Sequence, residues 1–156
     1  MLDRVSLLQV FELFHGVFLA FKLGLADLIQ TETTSVAIHH MVNYIDLVFE
    51  SMPYFVRIEF GDVEKTLKGF AELLVRSELA KEVAVEKTEK GFIFKVKECR
   101  FARRSHHLLE PKDVTCLYGI LIFYLAEKSS GKKVAKALSE FTSTDAYTLV
   151  EFLEEP

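Results

Sequence analysis

The chain has 156 residues, half of them hydrophobic and 27% charged, enough apolar material for one core, which excludes disordered, collagen-like and disulfide-framework chains. A net charge of −4 and a pI near 5.8 remove the uniform basic field that a non-specific nucleic-acid binder needs, so no nucleic-acid partner is expected. Two cysteines, no recognisable leader and a longest apolar run, Leu117 to Ala126, far short of the roughly 20 residues of a membrane span predict a cytoplasmic single domain over residues 1–156 without membrane insertion.

Residues 1–60 read as a helical N-terminal part. From Leu2 to Ile29 the residues Leu7, Val10, Phe11, Phe14, Phe18, Phe21 and Leu25 recur at three- and four-residue steps, the pattern of a long amphipathic helix. Ser35 is placed to cap a second helix carrying Val36, Ile38, Met41, Val42, Ile45, Val48, Phe49 and Met52, which Pro53 limits. Tyr54 to Phe60 suits either a short strand or an extended connection. The apolar surface of the two helices exceeds what a small sheet covers from one side, which predicts a homodimer built on them.

Residues 62–153 form the second part. Asp62 caps a helix from Val63 to about Ser77 with Leu67, Phe70, Ala71, Leu74 and Val75 on one face. The period then changes to two. Glu82 to Glu86 and Phe92 to Lys97 flank the polar loop Lys87-Thr88-Glu89-Lys90-Gly91, whose glycine can take the left-handed conformation of a hairpin return. Cys99 to Pro111 has no period and reads as an ordered loop. Asp113 or Thr115 caps an apolar helix through Ala126 that is buried on most sides, and Ser129-Ser130-Gly131 ends it. Lys133 to Glu140 and Tyr147 to Leu153 make a second hairpin around Thr142 to Ala146. The class is therefore α+β: N-terminal helices, then β-hairpin, central buried helix and β-hairpin, forming a mostly antiparallel sheet.

The side chains with the most chemistry are Cys99, His106, His107, Cys116 and Glu140, because thiolate and imidazole are donors suited to tetrahedral zinc. No Cys-x-x-Cys fixes any two of them by a tight turn, so such a site would close only through tertiary structure. The simpler reading is that Cys116 is a small core residue at a helix start, Cys99 ends a strand, and the histidines are solvated. The helix N-terminus can also lower the Cys116 pKa, although a buried, inert thiol is the plainer outcome. His39 and His40 are adjacent on a helix and point apart, and His15 lies within an apolar pattern as a core histidine would. Lys95, Lys97, Arg100, Arg103 and Arg104 make a local basic run, read as a solvated rim pairing with Glu98 and Glu110 rather than as an anion cradle. No phosphate loop, dinucleotide fingerprint or hydrolase motif occurs.

The segment from about Asp62 to Phe152 resembles the 4-vinyl reductase-like hydrocarbon-binding domain family. The likeness lies in Glu98-Cys99-Arg100-Phe101-Ala102, in Cys116-Leu117-Tyr118-Gly119, and in Gly131-Lys132-Lys133-Val134 running to Ser139-Glu140-Phe141. The resemblance implies a domain that encloses a small hydrophobic ligand, and a structural zinc to which Cys116 and Glu140 would contribute. Where the family pattern has further cysteines this chain has Ser143, Thr144 and Thr148, so Cys99 or a loop histidine would have to supply the missing donors.

The expected function is non-catalytic binding of a small apolar molecule, sensory or regulatory in use, with Tyr118, Gly119, Phe123 and Tyr124 at the ligand. The tyrosines offer hydroxyls beside aromatic bodies, and the glycine allows close approach. The alternatives are a metal- or thiol-dependent enzyme using Cys99, His106, His107 and Cys116, or a dimeric scaffold.

Overall fold

The computed structural model describes residues 60–102 and 116–153, together with Ile45. Both expected N-terminal helices, the homodimer face expected on them, and residues Arg103 to Thr115, which include His106, His107 and most of the expected Cys99–Pro111 loop, lie outside the described residues.

Helix α1 spans Val63–Arg76 and starts where the sequence places it, because the Asp62 carboxylate accepts the Lys65 N–H at 2.7 Å. Its inward face is Thr66, Leu67, Phe70, Ala71 and Leu74. Val75, expected on that face, is 39% exposed, since the step from Leu74 turns it outward and Thr66 takes the inward place instead. The helix ends in a left-handed residue, Glu78 at φ 56°, with the Glu78 N–H bonded to the Val75 carbonyl and the Leu79 N–H to the Leu74 carbonyl. This is the reverse turn normally given to glycine.

Strands β1 (Glu82–Lys87) and β2 (Gly91–Lys97) make the first hairpin; β3 (Val134–Phe141) and β4 (Ala146–Phe152) make the second. All pairings are antiparallel and the sheet order is β1-β2-β4-β3, so the second strand of each hairpin meets the other in the middle. Period two then sorts the faces. Phe92, Phe94 and Val96 of β2 and Ala146, Thr148 and Val150 of β4 are buried on one face, with Val83 and Val85 of β1 packed beside them. The opposite face carries Glu82, Glu86, Lys95 and Lys97 with Ile93 and Leu149 between them.

Gly91 does not take a left-handed conformation; it is the first residue of β2. A Cβ there would stand 1.9 Å from the Val150 carbonyl oxygen, so glycine is required by the close approach of β4 rather than by the turn.

Helix α2 spans Leu117–Ser130. Its N-cap is Cys116 rather than Asp113 or Thr115, and its last turn runs past Ala126 until Gly131, at φ 67°, stops it. Burial on most sides is observed: Tyr118, Ile120, Ile122, Phe123, Tyr124, Leu125 and Ala126 are all at or below 4% exposure. The two helices lie side by side over the apolar face of the sheet, α1 over β1 and α2 over β3 and β4. Phe70 of α1 meets Phe94 of β2 with ring centroids 5.9 Å apart. Among the described residues no helix is long and apolar enough to cross a membrane.

Candidate functional site

The candidate site lies where the end of β2 meets the start of α2. Beyond Lys97 the chain turns through Glu98, left-handed at φ 47°, whose N–H is held by the Asp145 carboxylate at 2.9 Å and whose side chain pairs with Lys81. Asp145 is itself fixed in the β3–β4 turn, its N–H bonded to the Thr142 hydroxyl at 2.9 Å. The Cys99 N–H then bonds the Thr144 carbonyl at 2.8 Å and the Arg100 N–H bonds the Leu79 carbonyl at 2.9 Å. These bonds clamp Cys99 between the β3–β4 turn and the end of α1. Its thiol is buried at 2% exposure.

Opposite stands the first turn of α2. Cys116 caps the helix through its backbone, with no side-chain cap bond, and is 7% exposed. Tyr118 is 4% exposed, and its ring packs on Phe101 with centroids 6.1 Å apart at 45°. The Tyr118 hydroxyl lies beside the Cys99 and Cys116 thiols and has the Cys99 sulfur as a weak acceptor, with no full-strength hydrogen-bond partner among the described residues. Ser129 Oγ has no partner among the described residues, but Ser129 is only half-buried, in the last turn of α2.

Burial raises the Tyr118 pKa far above its ordinary value, and the two neighbouring thiols add to the effect. Burial likewise raises the Cys99 pKa; the nearby backbone N–H groups of Phe101 and Ala102 and the Tyr118 hydroxyl oppose the rise, and Asp145 adds to it. Both groups are therefore neutral at physiological pH. A protonated, buried thiol is a poor nucleophile and a poor metal ligand until it loses its proton.

Of the other ligand candidates, Phe123 and Tyr124 are both buried in α2, Tyr124 with the Phe60 ring edge-on at 6.3 Å, and Gly119 is buried between Tyr118 and Ile120. The structure brings Cys99 and Cys116 to the same hydroxyl but does not bring Glu140 to them. Glu140 is exposed and in register with Tyr147, so it lies on the sheet face opposite Ser139, which is buried. Among the described residues no three His, Cys, Asp or Glu side chains gather where a metal could sit, so these residues do not make the closed four-donor set of structural zinc. Of the basic run, Lys95 pairs with Glu86 at 2.6 Å, Lys97 with Glu82 at 2.9 Å and Arg100 with Glu78 at 3.8 Å rather than with Glu98, while Arg103, Arg104 and Glu110 lie outside the described residues.

Sequence reasoning passed over one polar pair inside the core. Ser139 and Thr148 face each other across β3 and β4 with hydroxyls 3.0 Å apart. The signal was their phase: Thr148 alternates with Ala146 and Val150, and Ser139 with Phe141, so both had to point inward. Comparison with protein-family models, curated proteins and solved structures gives no match.

Proposed function

We propose that this protein is a cytoplasmic, non-catalytic module that takes up a small hydrophobic ligand beside the first turns of α2, as its resemblance to the hydrocarbon-binding family implies. The observation that carries the reading is the buried Tyr118 hydroxyl, set among Cys99, Phe101 and Cys116 with only a thiol as its partner among the described residues. Apolar surroundings with a few convergent polar groups are the usual chemistry of a small-molecule site. The protonated state of Cys99 supports binding over thiol catalysis.

Native mass spectrometry of protein purified without detergent tests this directly. A small organic molecule bound to the chain and removed by solvent extraction is expected, followed by saturable uptake of a fluorescent apolar probe by the emptied protein. Absence of both the bound molecule and the uptake overturns the reading.

A further inference from the structure

Alternate positions of an antiparallel strand turn their backbone N–H and C=O to one neighbour, and the positions between them turn theirs to the other side. The Lys90 carbonyl accepts the Phe152 N–H of β4, and the Gly91 carbonyl accepts the N–H of Thr88, just past β1. From Lys90 to Lys97 even positions therefore serve β4 and odd positions serve β1, and the register makes Glu82, Ala84 and Glu86 the residues of β1 bonded to β2. Val83, Val85 and Lys87 turn their N–H and C=O groups away from β2. Among the described residues β1 is an edge of the sheet and no strand pairs with those groups.

The two edges of the sheet differ. Bulges, prolines and charges normally guard an edge against a further strand. The register of β3 is irregular between Val134 and Lys136, whereas β1 pairs without a break and holds no proline. Both acids of β1 are paired with lysines of β2, Glu82 with Lys97 at 2.9 Å and Glu86 with Lys95 at 2.6 Å. The β1 edge is thus regular, and its carboxylates are neutralised from within the sheet.

We propose that β1 pairs antiparallel with β1 of a second copy of this chain, joining the two four-stranded sheets into one across a two-fold axis at Val85. In that register Val85 faces its own counterpart and Val83 faces Lys87 of the second copy, so that all three outward positions exchange backbone hydrogen bonds. On the other face Ala84 lies opposite Glu86 of the second copy and Glu82 opposite its Thr88, and beyond the strand ends Lys81 comes beside its Glu89. No like charges stand opposite one another. A slip of two residues one way sets Glu82 against Glu86 of the second copy, and the other way sets Glu86 against its own counterpart, which like-charge repulsion disfavours. Charge complementarity thus selects one register, and the partner that supplies it is this chain. The pairing is independent of the ligand-binding reading.

Sedimentation of the full chain tests it, in the wild type and in Val85→Pro. Proline there removes an N–H that no bond between β1 and β2 uses, and edge strands accept it. At micromolar concentration the wild type is expected at twice the chain mass of 17.9 kDa, and folded Val85→Pro at the single mass. Amide exchange at Val83, Val85 and Lys87 should be slow in the wild-type dimer and quicken on dilution to the monomer. A monomeric wild type, a dimer that persists in Val85→Pro, or fast exchange at those three amides in the dimer overturns the pairing. Should Val85→Pro fail to fold, the exchange at the three amides decides by itself.

Discussion

The Glu127 carboxylate in the last turn of α2 accepts the backbone N–H of Val134, the first residue of β3, at 2.9 Å, while its second oxygen meets the Lys133 ammonium at 3.1 Å. Val134 is 1% exposed, so its N–H has no access to water if the carboxylate is removed. Glu127→Ala is expected to destabilise the fold by about 1–3 kcal/mol, whereas Lys133→Ala, whose side chain is 69% exposed, should change it by well under about 1 kcal/mol. Denaturant midpoints of the two variants against the wild type check the difference.

Glu78 holds the left-handed position after α1, where a non-glycine residue is strained by about 1–2 kcal/mol. Its ion pair with Arg100, at 3.8 Å between exposed side chains, returns little of that. Glu78→Gly should therefore stabilise the protein by about 1 kcal/mol, read as a raised melting temperature.

Gly91→Ala should act in the opposite direction. A methyl group 1.9 Å from the Val150 carbonyl forces β2 and β4 apart in the centre of the sheet, with an expected loss of about 3 kcal/mol. Hydrogen exchange at the Phe92–Val150 pair should quicken in step with the loss.

The Cys99 thiol keeps its proton in the fold to a higher pH than in the unfolded chain, where it titrates near 9.0. Below that value both states are protonated and stability is unaffected. Above it the unfolded chain ionises first, so stability falls as pH rises until the folded thiol titrates as well. Denaturant midpoints measured from about pH 7 to about pH 10 should decline at the alkaline end, and Cys99→Ala should flatten the decline. The Tyr118 phenol acts with the same sign, from 10.0 upward.

If the ligand lies against the first turns of α2, Gly119→Phe should fill its place. Uptake of an apolar probe is expected to vanish while unfolding stays cooperative at a stability lower by about 1–3 kcal/mol. Retained uptake would move the ligand elsewhere.

Local periodicity made much of this fold legible. Asp62 announced α1, the two-residue alternation announced both hairpins, and the unbroken apolar run announced a helix buried on most sides. Features set by partners distant in sequence did not show. The last turn of α2 is polar, and it stays helical because Glu127 finds the Val134 N–H, Ser130 bonds the Ala126 carbonyl at 2.7 Å and Gly131 supplies the left-handed stop. The need for glycine at position 91 depends on Val150, a residue of another hairpin. Of the site, Cys99, Cys116 and Tyr118 were each visible as candidates. That the two thiols share one hydroxyl follows from the bond between Cys99 and Thr144, a contact without any local sequence pattern.

The order β1-β2-β4-β3 also governs how the chain can reach this fold. Each hairpin closes over a short turn, but β2 and β4 meet only after the whole of α2 has been carried across between them. Closing so long a loop loses entropy before any contact between the hairpins compensates it, which makes the β2–β4 seam the slow event. Until it forms, the apolar stretch from Tyr118 to Ala126 has only the second hairpin against it and lacks its contact with α1, and the inner edges of both hairpins stand unpaired. Refolding yield should therefore fall as protein concentration rises, and Gly91→Ala, which prolongs that interval, should steepen the fall.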